Sequence, residues 1–146
     1  MTLILGIDPG RQGAFALYDT EEQTVECHDM PDTIAGLHDL VAGFPAVKVC
    51  ALEKPYYPAS IGTANAAKIG EACGALRGAL VWKDIPFREV RPAEWKKAMN
   101  LTSVKGVSRD VACNHFPDSA DLFKRVKDDG RAEAALLAVY AQRWRA

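Results

Sequence analysis

Two carboxylates stand at the ends of two of the most apolar segments of the chain. Asp8 follows the run at residues 3–7 and is followed at once by Pro9-Gly10, and Glu53 closes the run at residues 47–52. Runs of this kind are typical of strands buried on both faces. Each acid alone also suits a salt bridge or a loop cap. If the two strands are neighbours, however, the acids raise each other's pKa unless a cation neutralises them, and together they indicate a cation site.

Two more acids lie near the start of an alanine-rich segment close to the C-terminus. Asp129 and Glu133 are four residues apart, so they share a face if the helix includes both. An alternative is that Asp129 is a helix cap and Glu133 a first-turn acid that favours the helix dipole. Against this, Glu133 is flanked by alanines, which is an unusual setting for a solvated charge.

The elements that position these acids begin with three strands. Residues 3–8, 13–18 and 24–28 are separated by short polar turns and predict an antiparallel meander. A helix follows from Ile34 to about Val41, with Asp32-Thr33 as its cap. The next strand, residues 47–53, is then parallel to the first by a right-handed crossover. This topology places Asp8 and Glu53 at the same end of the sheet.

The second half of the chain predicts one short strand and four helices. The strand covers residues 86–90, and the helices run from Gly62 to about Trp82, from Pro92, around residues 108–116 and from Arg131 to about Arg143. Glycines at 70, 74 and 78 repeat at four-residue spacing in the long helix and indicate close helix packing, within the domain or across a dimer. The prediction is an α/β fold with a five-stranded mixed sheet flanked by helices.

Composition sets broad limits on the class of protein. The 146 residues are 49% hydrophobic with a net charge of -1, which suits a single domain over residues 1–146. Four cysteines without C-x-x-C spacing indicate reduced thiols in a cytoplasmic protein. A signal peptide and a membrane-spanning run are both unsupported. Positive charge is concentrated in the C-terminal half, which locally offsets the acidic total.

Several motifs together resemble the RuvC family of Holliday junction resolvases, in particular its compact phage-type members. The matching segments, in family order, are Gly6-Ile7-Asp8-Pro9-Gly10, Gly13-Ala14, Leu52-Glu53, Val90-Arg91-Pro92 with Trp95-Lys96, and Asp129-Gly130-Arg131-Ala132-Glu133-Ala134. The resemblance implies a ribonuclease H-like fold, a homodimer, an origin in a bacterial cell or its phage, and divalent-metal-dependent cutting of four-way DNA junctions.

The resemblance also implies which residues form the catalytic and metal-binding cluster. These are Asp8, Glu53, Asp129 and Glu133, holding two Mg²⁺ ions, or Mn²⁺ in their place. In bacterial members the last two acids stand three apart, whereas here they are four apart with Asp128 adjacent. The choice between Asp128 and Asp129 therefore stays open at this point.

DNA contacts are predicted at the aromatic loop after Glu53 and in the basic second half. Tyr56 resembles the family's junction-probing aromatic, with Tyr57 as its neighbour, and aromatic stacking on an exposed base contributes roughly 1–3 kcal/mol. Lys96 and Lys105 resemble the family's basic pair near the active site. Further candidates from the concentration of charge are Arg91, Lys97, Arg109 and Arg131.

Three other functions remain in view. One is a related ribonuclease H-like nuclease that acts on RNA or other branched DNA, and another is a catalytically inactive junction-binding module. A sugar kinase or actin-like ATPase shares Asp-x-Gly after its first strand, but the chain is too short for the two lobes such an enzyme needs.

Overall fold

A five-stranded mixed sheet forms the centre of the computed structural model, which describes residues 1–102, 104 and 106–144. The strands are β1 (Leu3–Asp8), β2 (Ala14–Asp19), β3 (Thr24–Asp29), β4 (Val49–Glu53) and β5 (Phe87–Val90), in the order β3-β2-β1-β4-β5. β1, β2 and β3 pair antiparallel, whereas β4 lies parallel to β1 and β5 parallel to β4. The predicted meander and parallel crossover are confirmed.

Five α-helices lie within the described residues and flank this sheet. They are α1 (Ile34–Ala42), α2 (Thr63–Trp82), α3 (Pro92–Ala98), α4 (Val107–His115) and α5 (Asp129–Ala141). Thr33 caps α1 as predicted, because its hydroxyl accepts a hydrogen bond of 3.0 Å from the amide of Gly36. α5 begins two residues before the predicted Arg131, and 3₁₀ turns at Pro117–Phe123 and Val126–Asp128 were not predicted. These short turns lack the apolar periodicity that marks a helix in sequence.

Two apolar clusters cover the two faces of the sheet. One includes most of α5 together with Trp95 and Phe123, and the other includes side chains of α1 and α2. The predicted buried character of β1 follows from this double cover, since Leu3 to Ile7 are all buried. Cys50 and Cys73 are buried, while Cys27 and Cys113 are partly buried. Within the described residues, no helix combines the length and hydrophobicity that crossing a membrane requires.

α5 lies unusually close to β1 and β2. A Cβ added at Gly6 would overlap the carbonyl oxygen of Ala134, and one at Gly130 would lie 2.9 Å from the Cα of Gly13. Only glycine permits backbones to approach this closely. These contacts fix the height of α5 above the strand that ends at Asp8.

Candidate active site

Three acids from three different elements meet at one edge of the sheet. Asp8 ends β1, Glu53 ends β4, and Glu133 lies one turn into α5. One carboxylate oxygen of each lies within 4.8 Å of the other two. The parallel pairing of β1 and β4 brings the first two together, as the sequence predicted, and the close packing of α5 adds the third.

Of the three clustered acids, Asp8 is the one whose ionised form its surroundings disfavour most. Its Oδ1 accepts a hydrogen bond of 3.1 Å from the Gly10 amide, which is the donor that a carboxylate at the mouth of a core strand requires. Burial and the neighbouring charges of Glu53 and Glu133 nevertheless raise its pKa to about 7. The cation of this cluster, Lys96, contacts Glu133 rather than Asp8.

Glu53 is held by a buried tryptophan. Its Oε2 accepts a hydrogen bond of 2.7 Å from the indole Nε1–H of Trp95 in α3. Burial raises the pKa of Glu53, as does the charge of Glu133, while the Trp95 hydrogen bond and the charge of Lys96 act to lower it. Sequence reasoning noted Trp95 only as part of a motif, because a tryptophan at this spacing is equally typical of a helix core.

Glu133 has a cationic partner inside the site. The Nζ of Lys96 lies 3.1 Å from its Oε1, and both side chains are partly buried. Lys96, predicted as a DNA contact, thus lies beside the acids. Consecutive residues of α3 therefore contact two of the three carboxylates.

The fourth predicted acid, Asp129, lies beside this group but outside it. It lines the same pocket as Asp8 and Glu133, of about 360 Å³, yet its Oδ1 accepts a hydrogen bond of 2.7 Å from Arg109. The pocket is also lined by Lys127, one of the cations of the basic C-terminal half. The structure thus brings three of the four predicted acids into one group and leaves Asp129 at the pocket wall.

Asp128 has a different environment from Asp129. Its side chain is 1% exposed, and Arg125 donates to both of its oxygens at 2.9–3.2 Å. Burial alone would raise the pKa of Asp128, but the bonds from Arg125 outweigh it and hold the pKa below its usual value. The geometry therefore favours Asp129 over Asp128 as the acid that faces the pocket.

Apart from Lys96, the predicted DNA-contact residues fall into three groups. Tyr56 and Tyr57 are 76% and 44% exposed on the loop between β4 and α2. Arg91 is exposed at the N-cap of α3, and Lys97 is exposed in its last turn. Arg109 and Arg131 are instead bound to acids of this chain: Arg109 donates to Asp129, and Arg131 donates to both oxygens of Asp29 at 2.7 and 3.0 Å. Lys105 lies outside the described residues.

The donor set fits a hard divalent cation. The three clustered side chains offer only carboxylate oxygens, the ligand type that Mg²⁺ and Mn²⁺ prefer. A cation among them would also relieve the mutual repulsion that raises the pKa of Asp8. The arrangement can therefore hold a metal ion beside an open pocket.

Comparison with known proteins finds likeness in structure rather than in sequence. No protein-family model matches the chain, and no curated protein is significantly similar to it. The structure of RuvC from Thermus thermophilus is similar at 17% identity and a TM-score of 0.68, covering 97% of this chain and 96% of that one. The T. thermophilus RuvC in complex with a Holliday junction substrate is similar at 17% identity and a TM-score of 0.63, with 98% and 96% covered.

A eukaryotic protein has the same architecture. The yeast mitochondrial Holliday junction resolvase Ydc2 is similar at 18% identity and a TM-score of 0.58, covering 98% of this chain and 78% of that one. At this level of identity the likeness establishes the fold. Over nearly its whole length, this chain has the ribonuclease H-like fold of the RuvC resolvases.

Proposed function

We propose that this protein is a structure-specific endonuclease that resolves four-way DNA junctions by metal-dependent phosphodiester hydrolysis. The observation that carries the proposal is the convergence of Asp8, Glu53 and Glu133 at one sheet edge, in a chain with the fold of RuvC. RuvC was solved with a Holliday junction substrate, which supports branched DNA as the substrate class here.

The residues assigned to metal binding are the three clustered acids together with Asp129 at the pocket wall. When bound, two Mg²⁺ or Mn²⁺ ions supply charge stabilisation to the phosphate and favour deprotonation of the attacking water. Asp8 would hold the ions together with Glu53 and Glu133, whose charges both act on its carboxylate.

Lys96 is assigned to bind the substrate phosphate. Its ammonium group is partly buried 3.1 Å from Glu133, so it already lies at the rim of the acid cluster. A cation there attracts the phosphodiester to an otherwise acidic pocket. Arg91, Lys97 and the exposed Tyr56 and Tyr57 are assigned to the arms of the DNA outside the pocket.

A cleavage panel tests the reaction. The protein is incubated with a labelled immobile four-way junction, duplex, flap and RNA–DNA hybrid, each with Mg²⁺ and with EDTA. We expect paired symmetric nicks in the junction with Mg²⁺ only. In Asp8→Asn the cleavage rate should fall by about 100-fold or more, because losing even a hydrogen-bond partner of a metal ligand typically reduces activity 10–100-fold. Asp39→Asn, which removes an 86% exposed acid from α1, serves as the control.

Other results of the panel would redirect the assignment. Preferred cleavage of the hybrid or the flap would make the protein a related nuclease with another substrate. Junction binding that EDTA does not change, without product in Mg²⁺, would indicate a binding module. Full cleavage by Asp8→Asn would contradict the assigned acid cluster.

The proposed enzyme is a homodimer that pairs through α2. Gly74 and Gly78 lie on its exposed side, and a Cβ added at either would meet nothing within 4 Å in this chain. Small residues on an outward helix face allow a second helix to approach closely. We expect a dimer in sedimentation that Gly74→Arg separates into monomers, whereas Glu22→Arg, in the distant β2–β3 turn, leaves it intact.

A further inference from the structure

Trp95 is a completely buried side chain with one polar atom. It is 0% exposed within the apolar cluster formed with α5, and its ring is enclosed on the face of the sheet that carries the acids. The indole Nε1–H is its single donor. A buried donor of this kind needs a partner, and most partners in a core would be backbone carbonyls.

The partner here is the carboxylate of Glu53. The distance from Nε1 to Oε2 is 2.7 Å, which is short for an N–H donor and typical of a bond to a charged acceptor. One oxygen of Glu53 is therefore engaged, and rotation of the carboxylate is restricted. The other oxygen has no such bond to hold it within the described residues.

Packing in the apolar core fixes the position of the Trp95 indole N–H. The ring is immobilised by packing, and α3 begins at Pro92 directly after β5, the strand beside the one that ends at Glu53. Lys96, the next residue, contacts Glu133 at 3.1 Å. A rigid donor that fixes an acid at the edge of a cluster is the arrangement by which outer groups orient metal ligands.

We infer that Trp95 is a positioning residue that orients Glu53 toward the metal ions through its indole N–H. This inference rests on the proposed function, in which Glu53 binds the metal. Trp95 itself touches neither metal nor substrate. Its effect is to present the Glu53 carboxylate in one rotamer, so that the acid does not have to be ordered when the ion binds.

The experiment removes the N–H and leaves the ring shape. Trp95 is replaced by 3-benzothienylalanine, in which sulfur takes the place of the N–H group, and in parallel by Trp95→Phe. Mn²⁺ affinity is measured by calorimetry, and kcat and KM are measured on the four-way junction. Phe123→Leu, a change at another completely buried aromatic of the same cluster, controls for loosening of the core.

We expect the benzothienyl variant, which keeps the ring volume, to lose less stability than Trp95→Phe while binding Mn²⁺ about 10-fold more weakly, in the range found when hydrogen-bond partners of metal ligands are lost. Its kcat falls at fixed Mn²⁺ and recovers at high Mn²⁺, while KM for DNA stays constant. Trp95→Phe gives the same loss of affinity on a less stable fold. Phe123→Leu lowers stability but keeps the Mn²⁺ affinity.

Wild-type Mn²⁺ affinity in the benzothienyl variant would overturn the inference and leave the proposed function standing. Absence of Mn²⁺ binding by the wild-type protein would overturn both. Wild-type protein that binds Mn²⁺ without cutting the junction would contradict the proposed function only, since the calorimetric comparison still decides the role of Trp95.

Discussion

At the scale of single residues, the site is built from charges that the fold itself disfavours. Asp8 accepts one backbone hydrogen bond but sits in the field of two further acids, and its pKa rises to about 7. A carboxylate whose charge is opposed in the free protein has a strong affinity for a cation that neutralises it. The cost to stability and the proposed affinity for metal thus have the same origin.

Metal-free protein should become less stable as the pH rises, because of Asp8. Between the ordinary value of 3.8 and about 7, the folded state keeps a proton on Asp8 that the unfolded state has lost. Stability therefore falls with rising pH, by up to about 1.4 kcal/mol per pH unit for one such group. Asp8→Asn removes this dependence, so urea unfolding in EDTA at pH 8 should find it more stable than the wild type, with a smaller difference at pH 4.

The sign of the stability difference between Asp8→Asn and the wild type at pH 8 tests this explanation. If Asp8→Asn is less stable than the wild type at pH 8 in EDTA, the charged carboxylate is not opposed by its surroundings. Asp39→Asn should show no comparable change, because its side chain is 86% exposed.

Asp128 and Asp129 should respond differently to the same substitution. Asp128→Asn loses charged bonds from Arg125, and we expect a loss of about 1.5–3 kcal/mol of unfolding free energy with little change in Mn²⁺ affinity. Asp129→Asn, whose partly exposed carboxylate faces the pocket, should keep its stability and bind Mn²⁺ more weakly. The reverse pattern in melting and calorimetry would assign Asp128 as the ligand.

At the scale of elements, the decisive contact is between α5 and β1. Glu133 reaches Asp8 only because the backbones approach at Gly6, where a side chain would overlap the carbonyl oxygen of Ala134. α5, which carries Glu133, can therefore lie this close to β1 because Gly6 has no Cβ atom. A small outward shift of α5 would separate the acids without unfolding the sheet.

Gly6→Ala should therefore damage both the fold and the metal site. Overpacking of this kind costs typically 1–3 kcal/mol, and the displaced Glu133 should weaken Mn²⁺ binding. Gly43→Ala is the matched control, because an added Cβ there makes only ordinary contacts at 3.6 Å in a right-handed helical conformation. We expect it to be neutral or stabilising by up to about 1 kcal/mol. Equal effects of the two changes in melting and calorimetry would contradict the close-contact explanation.

At the scale of the whole molecule, a near-neutral total hides an uneven charge distribution. The net charge is -1, yet acids are concentrated at the sheet edge while exposed cations such as Arg91 and Lys97 lie next to it on and before α3. In the proposed function, DNA is bound through this local charge, so the affinity should fall as salt displaces the contacts.

Junction binding should therefore depend steeply on salt. Arg91→Gln and Lys97→Gln should each lower the slope of log affinity against log salt by about one, with the effects adding in the double variant. Lys48→Gln removes an exposed charge immediately before Val49, at the opposite end of β4 from Glu53, and should leave the slope unchanged. The slopes are obtained from junction binding in EDTA, measured over roughly 50–200 mM salt. Salt-independent binding would contradict the assignment of this surface to DNA.

Local sequence patterns predict much of the architecture. The apolar runs that end at Asp8 and Glu53 specify buried strands, and a helical crossover between them makes a parallel pairing that brings both acids to one edge. The order of motifs was enough to predict the ribonuclease H-like fold. The 3₁₀ turns after α4 were missed because they carry no periodic signal.

The sequence by itself determined the sheet, its crossover and the position of two acids, because hydrophobic periodicity and chain connectivity are local properties. Only the tertiary structure decided the partners of the other side chains: Asp128 bound to Arg125, Asp129 to Arg109, and Glu53 to the indole of Trp95, 42 residues away. Such pairings depend on how closely helices pack on the sheet, and that distance is set by contacts between residues far apart in the chain.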